Sequence, residues 1–211
     1  MIENVCKRIS EYLPNFPIVS SPLDLMKSFC EWNGSINLDR KKVDGLDNAE
    51  VYAGKDVIIQ PYTLFSGKVI ICNGARIGPY NFIRGPVFIG PNVMIGPSCE
   101  VIRTIVMDRT TLSHKNLVGD AIFGEDVSFA GSSAVCNYPF GREHINVRYN
   151  DKETLIPGEK FGAVIGNRVK CGYLTLVMPG CHIPDDTQLI GQCVVSGKCK
   201  VKSFVKSSIS Q

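Results

Sequence analysis

The sequence predicts an all-β solenoid: a left-handed parallel β-helix of hexapeptide repeats, with a small N-terminal helical segment and one extruded loop. Three observations lead there. A bulky apolar residue returns every sixth position, as Ile59, Phe65, Ile71, Ile77, Ile83, Ile89, Ile95 and Val101, again as Leu117, Phe123, Phe129 and Val135, and again from Ile165 to Val201. Such a beat fits neither the 3.6-residue period of a helix nor strand alternation, and it marks short strands stacked as walls of a coil. Two positions before each large residue stands a smaller one, such as Val57, Thr63, Val69, Ala75 or Cys99. Gly-Pro pairs close the sides after Ile77, Ile89 and Ile95, as expected where each strand must turn.

Residues 1–46 lack the beat and are read as an N-terminal helical cap. Ile2, Val5, Ile9 and Leu13 have helical spacing and end before Pro14 and Pro17. Ser21-Pro22-Leu23-Asp24 offers a capping serine and a first-turn proline. That helix is predicted to run through Leu25, Phe29 and Trp32 to Gly34 and, with the first, to close the open end of the coil stack, since solenoids need capped ends. Residues 47–211 form the β-helix. After Val101 the phase slips to Ile105, Thr111 and Leu117, a local irregularity. Residues 137–162 break the array with turn-forming residues and are read as a functional excursion.

Composition narrows the class. A net charge of +3, without clustering, does not suggest nucleic acid. No apolar run reaches the ~18 residues of a membrane span. The N-terminus lacks the features of a signal peptide, so a cytoplasmic location is expected. Of the nine cysteines, Cys99, Cys181, Cys193 and Cys199 occupy the small inward slot and behave there as small hydrophobes. Cys181 and Cys199, three repeats apart, should stack about 4.8 Å from each other, so a disulfide or metal pair between them stays open.

Of three histidines, only His114 has a suggestive setting. It falls outside both inward slots, just after the phase slip, so it should project from the coil. The stretch Ser113-His114-Lys115-Asn116-Leu117-Val118-Gly119-Asp120 through Gly124 resembles the HLxYxGDxxIG segment of amino-sugar acetyltransferases. These are the C-terminal domains of bifunctional glucosamine-1-phosphate acetyltransferase/N-acetylglucosamine-1-phosphate uridyltransferases and their archaeal relatives. Cys136-Asn137-Tyr138, Lys160 to Asn167, and Met178-Pro179-Gly180 continue the likeness, which covers roughly residues 55 to 190. The family's nucleotidyl-transferring half has no counterpart in residues 1–46.

The resemblance implies an acyl-CoA-dependent N-acyltransferase, with acetyl-CoA as co-substrate and an amino sugar phosphate or nucleotide amino sugar as acceptor. His114 matches the general base, a role that suits an imidazole near neutral pH. Glu100 matches an acidic residue of the same pocket. Arg84 matches an arginine that grips the sugar phosphate. Asn137 and Tyr138 fall in the substrate-binding stretch beside the loop. Gly131, Tyr173 and Gly191 fall where the family lines its coenzyme A groove, and no metal is implied. The family's active site forms between subunits of a trimer with the loop reaching across, so a homotrimer is expected. Leu117, Ile102 and Ser128 replace a tyrosine, a lysine and an asparagine of the family pattern. A second reading is therefore a catalytically silent sugar-nucleotide-binding or scaffold β-helix. A third, a metal-binding β-helix of the carbonic anhydrase type, needs outward histidines stacked at subunit contacts, and His114, His144 and His182 lie in unlike contexts.

Overall fold

The structure is a computed structural model, and it describes residues 1–41, 43, 45–46, 48–141, 143–157 and 160–197. Cys199 and Val201 lie outside the described residues. The chain forms a left-handed parallel β-helix with three walls. The first wall stacks the strands Glu50–Ala53, Lys68–Ile71, Val87–Ile89, Ile105–Val106, Ile122–Phe123, Ala163–Ile165 and Cys181–Ile183. The second runs from Ile58–Ile59 to Gln188–Leu189, and the third from Leu64–Ser66 to Val194–Val195. The chain visits them in that order in each coil. Side chains alternate across each strand, so the six-residue beat points inward on every wall. Phe65, Ile71, Ile77, Ile83, Ile89, Ile95 and Val101 are all fully buried in one continuous core.

The smaller inward slot admits polar groups where a turn carbonyl lies within reach. Asn81 donates to Gly78 O at 2.7 Å and accepts from Cys99 N at 2.6 Å. Thr110 Oγ1 donates to Gly124 O at 2.8 Å, and Asn116 Nδ2 to Ala130 O at 2.8 Å. Each supplies the partner that a buried polar group requires.

The phase slip has a different form from the one expected. Val106, Leu112 and Val118 point inward, whereas Ile105, Thr111 and Leu117 face outward. Leu117 is 40% exposed and sits in register with outward-facing Glu100. The cause is local: the sides from Val101 to Val106 and from Val118 to Phe123 are five residues long. Val101 therefore pairs with Val118, 17 residues on, where Ile83 pairs with Val101, 18 residues on. A one-residue change reverses which face every following side chain takes until the beat resumes.

Both predicted helices form, as α1 (Ile2–Ser10) and α2 (Pro22–Cys30). Ser21 Oγ caps α2 by accepting from Leu23 N and Asp24 N, and the helix stops before Trp32. Their position corrects the expectation. They lie along the outside of the first wall, not across the open end. Ile2, Val5, Ile9, Leu25 and Phe29 share a second core with the outward residues Ile70, Phe88, Ile105, Ile122 and Val164. Phe88 makes edge contacts with Tyr12 and Phe29. The first wall is apolar on both faces and so must be covered on both. Arg8 of α1 fixes the placement: its Nε donates to both carboxylate oxygens of buried Asp108, at 2.9 and 3.2 Å, and Nη2 also bonds Oδ2. At the N-terminal end of the stack, Asp39–Lys41 adds an antiparallel edge strand to Glu50–Ala53, and Val43 packs on the core.

The excursion is largely an antiparallel hairpin, His144–Tyr149 paired with Lys152–Pro157. Asn150 and Asp151 both have positive φ, the conformation of the turn that matches strand twist. Ile145, Val147 and Ile156 are buried in the second core with the helices, and Arg148 N bonds Gly180 O at 3.0 Å. The hairpin thus folds back on its own chain, because its alternating apolar face completes the cover of the first wall. The coil ladder resumes past it in register: Phe123 pairs with Ile165, and Ala134 with Leu176.

Candidate active site

The corner joining the second and third walls faces away from the helix-covered first wall. Counting two residues past the inward residue of each coil gives Pro61, Pro79, Pro97, His114, Gly131, Tyr173 and Gly191 in one column. The ladder bonds confirm the stacking: Lys115 N to Pro97 O (3.0 Å), Ser132 N to His114 O (2.9 Å), Leu174 N to Gly131 O (3.2 Å) and Gln192 N to Tyr173 O (2.7 Å). The residue after each turns the corner in the left-handed region, with φ of 53° at Lys115, 54° at Ser132, 59° at Leu174 and 59° at Gln192. His114, Gly131, Tyr173 and Gly191 are thereby brought together.

His114 projects from the coil and is exposed, as its slot requires. Its imidazole lies over Gly131. A Cβ on Gly131 would stand 2.3 Å from Nε2 and 2.7 Å from both Cδ2 and Cε1, so the missing side chain is the space that the ring occupies. Tyr173 lies one coil further on, its ring centroid 6.4 Å from that of His114, and its hydroxyl is 3.1 Å from Ser132 Oγ. At Gly191 a Cβ would meet Tyr173 O at 2.4 Å, so close coil packing also demands glycine there.

Glu100 and Arg84 lie on the outer face of the third wall. Arg84 Nη2 bonds Glu100 Oε1 at 2.7 Å, with both side chains about two-fifths exposed. The guanidinium carbon stands 5.4 Å from the Phe82 ring centroid, and Arg84 Nε is buried without a hydrogen-bond partner among the described residues. Glu100 is flanked in register by Phe82 and Leu117, and Arg84 by Ser66 and Ile102. Of these neighbours only Ser66 is polar. Ser128 stands on the second wall beside Thr111 and Lys170.

Asn137 is not brought to His114. It lies at the far corner of the third wall, where Nδ2 donates to Asp120 Oδ2 at 2.5 Å. Asp120 also accepts from Arg103 Nε and Nη2 at 2.6 and 2.8 Å. These hydrogen bonds, with Asp120 itself, hold the Arg103 guanidinium above its ordinary pKa. The Asn137 carboxamide fills the space where a Cβ of Gly119 would lie. Tyr138, 63% exposed, borders a small hollow of about 160 Å³ with Phe140, His144 and Met178. The histidines are scattered: His144 lies on the hairpin beside Glu143, and His182 packs on Tyr149 at 4.8 Å between ring centroids.

Sequence reasoning missed three groups. Arg103 and Asp120 sit on the two five-residue sides, and the shortened spacing was their signal. Lys115 is exposed beside His114. Tyr62 and Tyr80 follow Pro61 and Pro79 at the same corner, where their rings stack 5.1 Å apart at 9°.

The family model for the GMPPB C-terminal domain matches residues 65–172. The chain is 33% identical over 132 residues to the bifunctional protein GlmU of Methanococcus vannielii, covering 62% of this chain and 31% of that protein. It is 28% identical over 165 residues to a bifunctional sugar-1-phosphate nucleotidylyltransferase/acetyltransferase of Sulfurisphaera tokodaii, covering 76% and 41% respectively. The chain thus spans about a third of the length of the curated relatives it matches. A solved structure of an Arabidopsis UDP-N-acetylglucosamine acyltransferase aligns with a TM-score of 0.46 at 13% identity, over 72% of this chain and 59% of that one.

Proposed function

Since the chain belongs to the GMPPB C-terminal domain family, with GlmU-type relatives, we propose that it is a sugar acyltransferase. In this reading it is an N-acyltransferase that moves an acetyl group from acetyl-CoA to an amino sugar phosphate or nucleotide amino sugar. The observation that carries it is the seating of His114 on Gly131 at an exposed corner. The acceptor amine attacks the thioester carbonyl, a C–N bond forms and the C–S bond breaks. His114 takes the amine proton and returns it to the departing thiolate, so coenzyme A leaves as the thiol. Gly131 serves the base by giving the ring room. Tyr173 and Gly191, in the same column, line the path of the pantetheine arm. Arg84 and Glu100 hold the acceptor, which must enter their ion pair to reach the guanidinium. Asn137 and Tyr138 reach an acceptor only across a subunit boundary, which fits a homotrimer. The helices and hairpin cover the first wall, so its subunit contacts use the other two.

The test is free-thiol release from acetyl-CoA across a panel of amino sugar phosphates and nucleotide amino sugars. His114→Ala is expected to lower turnover by about 10²-fold or more through loss of the general base. One observation favours a second reading, a silent sugar-nucleotide-binding module: Arg84 and Glu100 already pair with each other beside apolar Leu117 and Ile102. Tight acceptor binding without thiol release on any amine would select it.

A further inference from the structure

The corner that carries His114 holds a second feature, two and three coils toward the N-terminus. Tyr62 and Tyr80 occupy the slot that turns this corner, with φ of 63° and 60°. The slot has positive φ in the following coils too, at Ser98, Lys115, Ser132, Leu174 and Gln192, so the turn itself does not select the side chain. Two successive coils place tyrosines there. Their rings are 66% and 62% exposed and nearly parallel, 5.1 Å apart. Packing of the core does not require them, since both stand outside it.

The tiers above complete the pattern. Ser98 follows Tyr80 in the same slot one coil on, and Lys115 follows Ser98; Ser98 N bonds Pro79 O at 3.1 Å and Lys115 N bonds Pro97 O at 3.0 Å. Coils rise about 4.8 Å each. A serine where the two preceding coils carry rings leaves the upper face of Tyr80 open to a planar group. Lys115 then supplies a cation about 10 Å above Tyr80, two coil rises away, next to His114. Ring, gap, cation and base thus follow one another along a single edge.

We propose that the Tyr62–Tyr80 stack is the platform for the base of a nucleotide-linked acceptor, with Lys115 taking its phosphates and His114 facing its amine. The inference rests on His114 as the acylation centre and narrows that reading: the acceptor is a nucleoside diphosphate amino sugar, not a bare sugar phosphate. A base laid on an exposed aromatic ring, as in single-strand nucleic-acid complexes, gains enough for a preference of roughly fivefold to a hundredfold over a base-free ligand. The ammonium of Lys115 recognises phosphate as a point charge, without demanding one orientation.

The experiment measures binding by calorimetry of UDP, dTDP, GDP and ADP against inorganic pyrophosphate, on the full chain. At least one nucleotide should bind tenfold or more tighter than pyrophosphate. Tyr80→Leu should erase that preference while leaving pyrophosphate binding unchanged. Lys115→Ala should weaken nucleotide and pyrophosphate alike. His114→Ala should bind the nucleotide as wild type does, so binding is read independently of acyl transfer. Nucleotide binding intact in a chain that releases no thiol would sink the enzymatic reading and leave the base platform standing. Equal affinity for pyrophosphate and every nucleotide would overturn the platform, whether or not acyl transfer is found. So would a Tyr80→Leu protein that keeps full nucleotide preference but sediments as a smaller species, which would assign the tyrosines to contact between copies of the chain.

Discussion

Replacing Gly131 by alanine separates the fold from the chemistry more sharply than removing the histidine itself. The added methyl would lie 2.3 Å from His114 Nε2, and ordinary van der Waals contact begins near 3.4 Å, so the ring must withdraw by about 1 Å. It has somewhere to go, because His114 is exposed. Gly131 does not adopt a positive φ, so alanine fits the backbone and should leave stability unchanged or slightly raised, by about 0.4–1 kcal/mol. Catalysis has no such freedom: misplacing a reacting group by about 1 Å costs on the order of 10²-fold. We therefore expect Gly131→Ala to unfold at or slightly above the wild-type temperature while thiol release falls roughly a hundredfold, close to the loss in His114→Ala. Melting by circular dichroism and steady-state thiol release on one preparation supply both readings. Wild-type turnover in Gly131→Ala, alongside an inactive His114→Ala, would refute the account of the ring seated on Gly131.

Other expectations concern the cover of the first wall. Phe88→Ala empties a fully buried site between Tyr12 and Phe29, and should cost about 3–5 kcal/mol in urea unfolding; helices capping the open end instead would be insensitive to it. Arg8→Met leaves the buried Asp108 carboxylate without its main partner, and a loss of about 1.5–3 kcal/mol is expected, reduced in the double variant Arg8→Met/Asp108→Asn. His182 has its pKa lowered from 6.5, chiefly by burial, with the positive N-terminus adding to this and Asp185 and Asp151 opposing it. The unfolded chain then binds the proton more readily, so stability should fall as pH drops below about 6.5 and level off below the lower folded-state pKa. Melting temperature against pH should flatten over that window in His182→Phe; an unchanged slope would remove His182 as its source. Asp126 has its pKa lowered mainly by the hydrogen bond from Arg109, so that contribution is present above about pH 3.9 and is lost as acid protonates the folded carboxylate. Wild type and Asp126→Asn should converge in unfolding midpoint at low pH.

The periodic part of the molecule was legible because one residue per side must point inward, and a six-residue step makes that visible. His114 was legible as a projecting residue even with the phase misassigned, because neither count places it inward. What failed was local. A five-residue side leaves no marker in composition, so Leu117 was assigned to the core while Val118 fills it. The lateral position of the helices was not foreseen although its signal was present: Val69-Ile70-Ile71, Val87-Phe88-Ile89 and Ala163-Val164-Ile165 are runs apolar at successive positions, which a wall with a wet outer face does not carry. The hairpin announced itself in the alternation of Ile145 and Val147 before Asn150-Asp151, obscured by the polar residues around it. Asn137 was the least legible, because its partner Asp120 becomes its neighbour only when a whole coil closes.

The distance along the chain between α1 and the wall it covers has a consequence for biosynthesis. Arg8 and Asp108 are 100 positions apart, and the platform for α1 is finished only when Val164 has joined Ile122. At about 5–20 residues per second, roughly 8–30 seconds separate the emergence of α1 from completion of that platform. Through that interval Ile2, Val5, Ile9 and Leu13 have only the earlier part of the platform, such as Ile70 and Phe88, to pack against. Each finished coil presents another bare strip of the wall, and chaperones have most to hold while the chain is still on the ribosome.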